Sequence, residues 1–269
     1  MSRLGSTLLS LALAGVITLA AYTDEALVVV AVLFVQVLVA TAPPLVTSTG
    51  ETVASPRFLP AIVAGVVATV LTYEPDLLSG ADGTSADVVG ATDTGMLSGI
   101  LPAVMAAVFI ALFAQMLRSD GRPHLVRSVG YAVLISVIAA FTAGWLGTVQ
   151  SLGDAAAVAV GAAGLGAGLL VWALPVDRWL GLGLSTVAGA AGGAVVAASV
   201  ESPMTVYFGV LVGAGSAVFA VLGQIVARAI SGENASPGAR WGFPGAMAVA
   251  FAAPVVYIGG QLITVPLLG

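Results

Sequence analysis

The chain has 269 residues, of which 59% are hydrophobic and only 8% charged, with a net charge of −5 and a mean hydropathy of +1.10. A soluble domain of this length carries charge on about a quarter of its residues, so an ordinary water-facing fold is excluded and a bilayer is the expected solvent. Cysteine and lysine are both absent, which removes disulfides, thiolate metal sites, Schiff bases and the lysine-dependent phosphate loop together.

Continuous apolar runs, in place of the short alternating segments of a barrel, predict an all-α polytopic helix bundle in one integral membrane domain over 1–269. Nine runs are long enough to cross about 30 Å of hydrocarbon. They cover 4–22, 26–46, 58–73, 96–117, 129–149, 155–174, 179–200, 204–227 and 243–265. The first follows Arg3 and ends in "LAAYTDEA", which loosely resembles a signal peptide. The second begins almost at once, which favours an uncleaved helix. It carries Gln36 near its middle and Pro43 and Pro44 near its inner end, and the polar stretch 47–57 that follows reads as a connector.

The stretch 73–95 after the third run holds five acids among many turn formers, but lacks the ordered spacing of a calcium loop. It reads as solvated loop. The fourth run contains Pro102 and ends "AVFIALFAQMLR" at 107–118, carrying Gln115; the eighth ends "AVFAVLGQIVAR" at 217–228, carrying Gln224. In each, a glutamine stands three or four residues before an arginine. The match suggests parallel repeat halves over 1–118 and 127–228, with 243–265 as an extra helix, a 4+4+1 arrangement.

Between the fourth and fifth runs, "RSDGRPHLVRS" holds Arg118, Arg122 and Arg127 with the only histidine, His124. A general base assisted by Ser119 and Asp120 would need a preorganised pocket that a loop between two spans does not offer. The arginines read instead as determinants of topology. Placing the N-terminus in the cytoplasm puts Arg3, Arg57, Arg118, Arg122, Arg127, Arg178, Arg228 and Arg240 all inside, with the C-terminus external. Asp24, Glu25, Glu74, Asp76, Asp82, Asp87, Asp93, Asp154 and Glu201 then lie outside. Anionic lipid headgroups are the expected partners of the inner face.

Later runs are rich in glycines four apart, at Gly164 and Gly168, Gly189 and Gly193, and Gly209 and Gly213, which predicts close backbone packing of runs six to eight. The ninth contains Pro254, whose ring denies a donor to the Ala250 carbonyl and predicts a kink, and Gln261. No acid, arginine or histidine lies deep in a run, so a carboxylate proton relay is not expected. Gln36, Gln115, Gln224 and Gln261 are the buried polar candidates, as interhelical bonds or as substrate contacts.

One histidine and no cysteine cannot assemble a multi-histidine metal site; no catalytic residue and no cofactor are expected. No basic surface interleaved with aromatics points to nucleic acid. The alanine-rich, arginine-only vocabulary is that of a GC-rich bacterial genome. The leading expectation is a permease-like bundle of the cell membrane handling a neutral or lipidic small molecule. The alternative is a non-catalytic membrane subunit or scaffold, with a membrane protein or further copies of the chain as partner.

Overall fold

A computed structural model describes residues 2–46, 52–53, 55–74, 77, 95–119, 124–150, 154–200, 205–231 and 237–262. In chain order the elements are α1 (Ser2–Ala21), α2 (Glu25–Ala40), β1 (Leu45–Val46), β2 (Thr52–Val53), α3 (Phe58–Tyr73), α4 (Gly95–Met116), α5 (Leu125–Phe141), α6 (Gly144–Val149), α7 (Asp154–Trp172), α8 (Arg178–Ser199), α9 (Val206–Ser231) and α10 (Pro237–Leu262). Among the described residues, seven helical segments are long and apolar enough to cross a membrane, with α5 and α6 counted as one segment over Leu125–Val149. The chain is therefore a multi-pass membrane protein in contact with lipid. α2 and α3 are apolar but shorter, at 16 residues each. That length rises about 24 Å, so the nine expected windows resolve into seven full-length helices and two short ones.

The second window departs most from expectation. α2 stops at Ala40 instead of running to 46, and Leu45–Val46 pairs antiparallel with Thr52–Val53. Pro43 and Pro44 explain the stop, because neither donates a backbone hydrogen bond and each biases the residue before it out of the helical region. The fold is all-helical as expected apart from this small hairpin, which makes part of the expected connector strand.

Two aspartates cap helices. Asp24 accepts from the Ala26 amide at 2.8 Å to start α2, and Asp177 accepts from the Trp179 amide at 3.0 Å to start α8. A carboxylate over the first-turn amides satisfies donors that the helix itself leaves open.

α10 runs through the middle of the bundle against α1, α2, α5, α6, α7 and α9, and Phe243 and Ala246–Ala250 on it are buried. The indole of Trp145 on α6 donates to the Val249 carbonyl at 3.0 Å, and Ser10 on α1 donates to the Gly245 carbonyl at 2.9 Å. α4 and α8 sit at the edge. They turn Leu101, Phe109, Phe113, Val187 and Val195 outward, the large apolar groups suited to lipid, while small residues face the neighbouring helices.

The glycine pairs act as expected. A Cβ on Gly213 would lie 2.9 Å from the Gly193 Cα, and one on Gly164 would lie 2.6 Å from the Gly213 carbonyl oxygen. α7, α8 and α9 thus meet backbone to backbone.

Candidate functional site

Side-chain contacts mark the two ends of the bundle. At one end the Arg3 guanidinium lies 5.7 Å over the Trp172 ring, and Arg228 donates to the Ser6 hydroxyl at 3.0 Å. At the same end Arg57 bonds the Ala42 carbonyl and Ser55 donates to the Ser128 carbonyl at 2.9 Å, next to Arg127 at the start of α5. At the opposite end the Gln150 amide bonds the Glu25 carboxylate and the Tyr73 carbonyl. There burial, and after it the nearby Asp154 carboxylate, hold the Tyr22 phenol above its ordinary range. Arg122, together with Asp82, Asp87 and Asp93 of the acidic stretch, lies outside the described residues.

The glutamines chosen from sequence are engaged by protein. Gln36 is 1% exposed, and its Nε2 donates to the Thr69 hydroxyl at 2.7 Å. Gly65 makes room for it, since a Cβ there would lie 2.6 Å from Gln36 Oε1. Gln115 donates to the Ser128 hydroxyl at 2.6 Å and accepts from Arg118 at 2.8 Å. Gln224 accepts from Arg228, also at 2.8 Å. The Gln–Arg spacing seen in sequence is thus a hydrogen bond in both places, along one face of α9 and across the C-terminal end of α4. Gln261, half-buried near the end of α10, is also engaged.

Replacing Gln36 by leucine removes one interhelical bond and also an Oε1 that has no partner. The expected cost in unfolding free energy is about 1 kcal/mol or less. Thermal unfolding of the detergent-solubilised chain checks it, and a loss several times larger would mean that Gln36 organises more than Thr69.

Two clefts open at the arginine end. One, of about 700 Å³, lies between the hairpin and the end of α4 and is lined by Thr52, Val53, Arg57, Leu117 and Arg118 among others. The second, of about 430 Å³, is lined by Arg3, Trp172, Arg178, Ile225, Arg228 and Ala229. None of the four glutamines lines either cleft. Both clefts pair guanidinium groups with apolar walls, a combination suited to an anion carried on an apolar body.

Sequence reasoning saw these arginines only as markers of orientation. Trp172, Arg178 and Arg228 belong to three helices whose meeting depends on the packing of the bundle, and the Gln–Arg spacing was the one local signal. His124 is exposed, with φ 58°, at the N-cap position of α5. α10 continues through Pro254 to Leu262, and the carbonyl that Trp145 takes belongs to Val249, beside that of Ala250. Among the described residues no three His, Asp or Glu gather where a metal would sit.

Compared with known proteins, the chain matches no family model, no curated protein and no solved structure.

Proposed function

We propose that the chain is a non-catalytic, non-transporting subunit or scaffold of the cell membrane. In this reading α2 and α3 cross the bilayer as well, giving nine crossings, with the arginine end and the N-terminus in the cytoplasm and the C-terminus outside. The observation that carries it is how the buried amides and glycines are engaged. Three buried amides bond neighbouring protein groups, the glycines of α7, α8 and α9 bring backbone against backbone, and the two clefts sit at the arginine end.

The bilayer and its anionic inner headgroups are the first partners, attracted to the arginines. A membrane protein or a second copy would sit on the outward apolar faces of α4 and α8. Purification in gentle detergent followed by mass analysis is the test. A stoichiometric partner or a defined homo-oligomer, with no solute flux in proteoliposomes, is expected; a monomer that carries a neutral solute would overturn the reading.

A second reading, the permease-like bundle for a neutral or lipidic molecule, draws on buried atoms that have no partner in the protein. Gln36 Oε1, Ser185 Oγ, Ser216 Oγ and Gln224 Nε2 are of this kind, and each would gain from a passing polar group. Under it, Gln36→Leu or Gln224→Leu abolishes flux at an unchanged amount of folded protein. Unchanged flux counts against it.

The duplicated halves 1–118 and 127–228 draw support from the matching Gln–Arg bonds at the ends of α4 and α9. Failure of α1–α4 to overlay on α5–α9 in helix order would end that idea. The sidedness has a direct check, because the chain has no cysteine of its own. Thr23→Cys and Arg127→Cys occupy exposed positions at opposite ends. In intact cells an impermeant maleimide is expected to label Thr23→Cys only, and Arg127→Cys only after lysis; equal labelling refutes the orientation.

A further inference from the structure

We infer that the cleft bounded by Arg3, Trp172, Arg178 and Arg228 is a binding site for a phosphate-bearing anion. The inference goes beyond the scaffold reading and does not rest on it, since a transporting bundle would keep the same cleft.

Three arginines line a space of about 430 Å³, and none of the residues lining it carries a carboxylate. Arg3 and Arg178 stand at the exposed rim, while Arg228 is half-buried and feels the positive charge of Arg3. Like charges brought together without a counter-charge raise the free energy of the bundle, and an anion between them reverses the sign of that effect. The nearest acid in sequence, Asp177, is occupied in capping α8.

The hydrogen-bonding inventory gives an independent indication. Trp172 is 3% exposed, lines the cleft, and its Nε1 has no partner. Arg228 gives Nη2 to Ser6 and Gln224, yet its buried Nε has none. Both unmet groups are donors, so what the site needs is an acceptor. A tetrahedral phosphate offers several acceptor oxygens to forked guanidinium donors at once.

The surroundings suit a group held at a membrane surface. Trp179 and Leu180 follow Arg178 on α8 and are 79% and 62% exposed, an apolar wall along which acyl chains would run. Trp172 lines the cleft with the Arg3 guanidinium over its ring, and a tryptophan beside cations is a common feature of membrane interfaces. A phospholipid headgroup and a soluble phosphate compound share this chemistry, and the experiment separates them.

The full chain is reconstituted in phosphatidylcholine vesicles containing phosphatidylglycerol, then extracted and weighed intact to score retained lipid. In parallel, inorganic phosphate is titrated against thermal unfolding in detergent. The test variant is Arg3→Gln with Arg178→Gln; Arg127→Gln, an exposed arginine outside both clefts, carries the control change in charge. Retention of one phosphatidylglycerol by the wild type and the control, weakened about tenfold in the double variant, supports the site with a lipid source.

Stabilisation by inorganic phosphate in the wild type and control but not the double variant, without retained lipid, supports it with a soluble source. Equal losses in double variant and control, or no response to either probe, overturns the proposal. If the double variant does not fold, Trp172→Phe decides. It keeps the ring and deletes the donor, so weaker retention or stabilisation supports the site, and values equal to wild type overturn it.

Discussion

Gly213→Val is expected to leave little folded protein in the membrane. Gly213 stands where α9 meets α8, and the atoms a new side chain would strike are backbone: the Gly189 carbonyl oxygen, the Gly193 Cα at 2.9 Å and the Gly193 amide nitrogen at 3.1 Å from a Cβ at 213. Backbone cannot rotate away as a side chain end can, so the helices must separate. In lipid, separation is not opposed by a hydrophobic force between helices. What is lost is dispersion contact along the whole seam.

Overpacking of an ordinary core costs about 1–3 kcal/mol, and a clash with the backbone of α8 belongs at or above the top of that range. Gly183→Val on α8 is the matched control, because a Cβ there meets nothing within 4 Å. It should change stability by no more than about 0.5 kcal/mol. Fluorescence-detected size exclusion of both variants checks the contrast, and similar profiles would show that the seam tolerates separation.

The same residues show how far the sequence could be read. Glycines four apart were legible as a packing seam because small residues at that spacing share one helix face whatever the neighbours are. The Gln–Arg spacing at the ends of α4 and α9 was legible for a similar reason, since the partners are only three or four residues apart in the chain.

α2 was read to 46 although Pro43 and Pro44 were visible. The apolar run continued past them, and two-residue strands are too short to leave an alternating pattern that would have competed. The phosphate-site candidate was not legible at all. Arg3, Trp172, Arg178 and Arg228 come from α1, α7, α8 and α9, and only the directions and crossings of those helices bring them together. No local rule contains that information.

A second large effect is expected at Trp145. This side chain is fully buried on α6, the short helix that joins α5 to the turn before α7, and it reaches α10 by its bond to the Val249 carbonyl. Trp145→Ala removes the ring, and so opens a cavity, and also takes the donor away; an unfolding cost of about 3–5 kcal/mol is expected. Trp145→Phe keeps most of the volume and should lose only about 1 kcal/mol.

The position of the bond gives it a second test. Pro254 denies the Ala250 carbonyl its helical donor and crowds the turn that contains it, so α10 is weakest along its own ladder one residue from where the indole attaches. Were the indole bracing that turn, Pro254→Ala would restore the ladder and make the Trp145→Phe change less costly than in the wild-type background. The expected coupling between the two substitutions is about 0.5–1 kcal/mol, read from a double-mutant cycle in thermal unfolding. Strict additivity would mean that the indole serves α10 by filling space alone, and that the helix sustains its proline without help from α6.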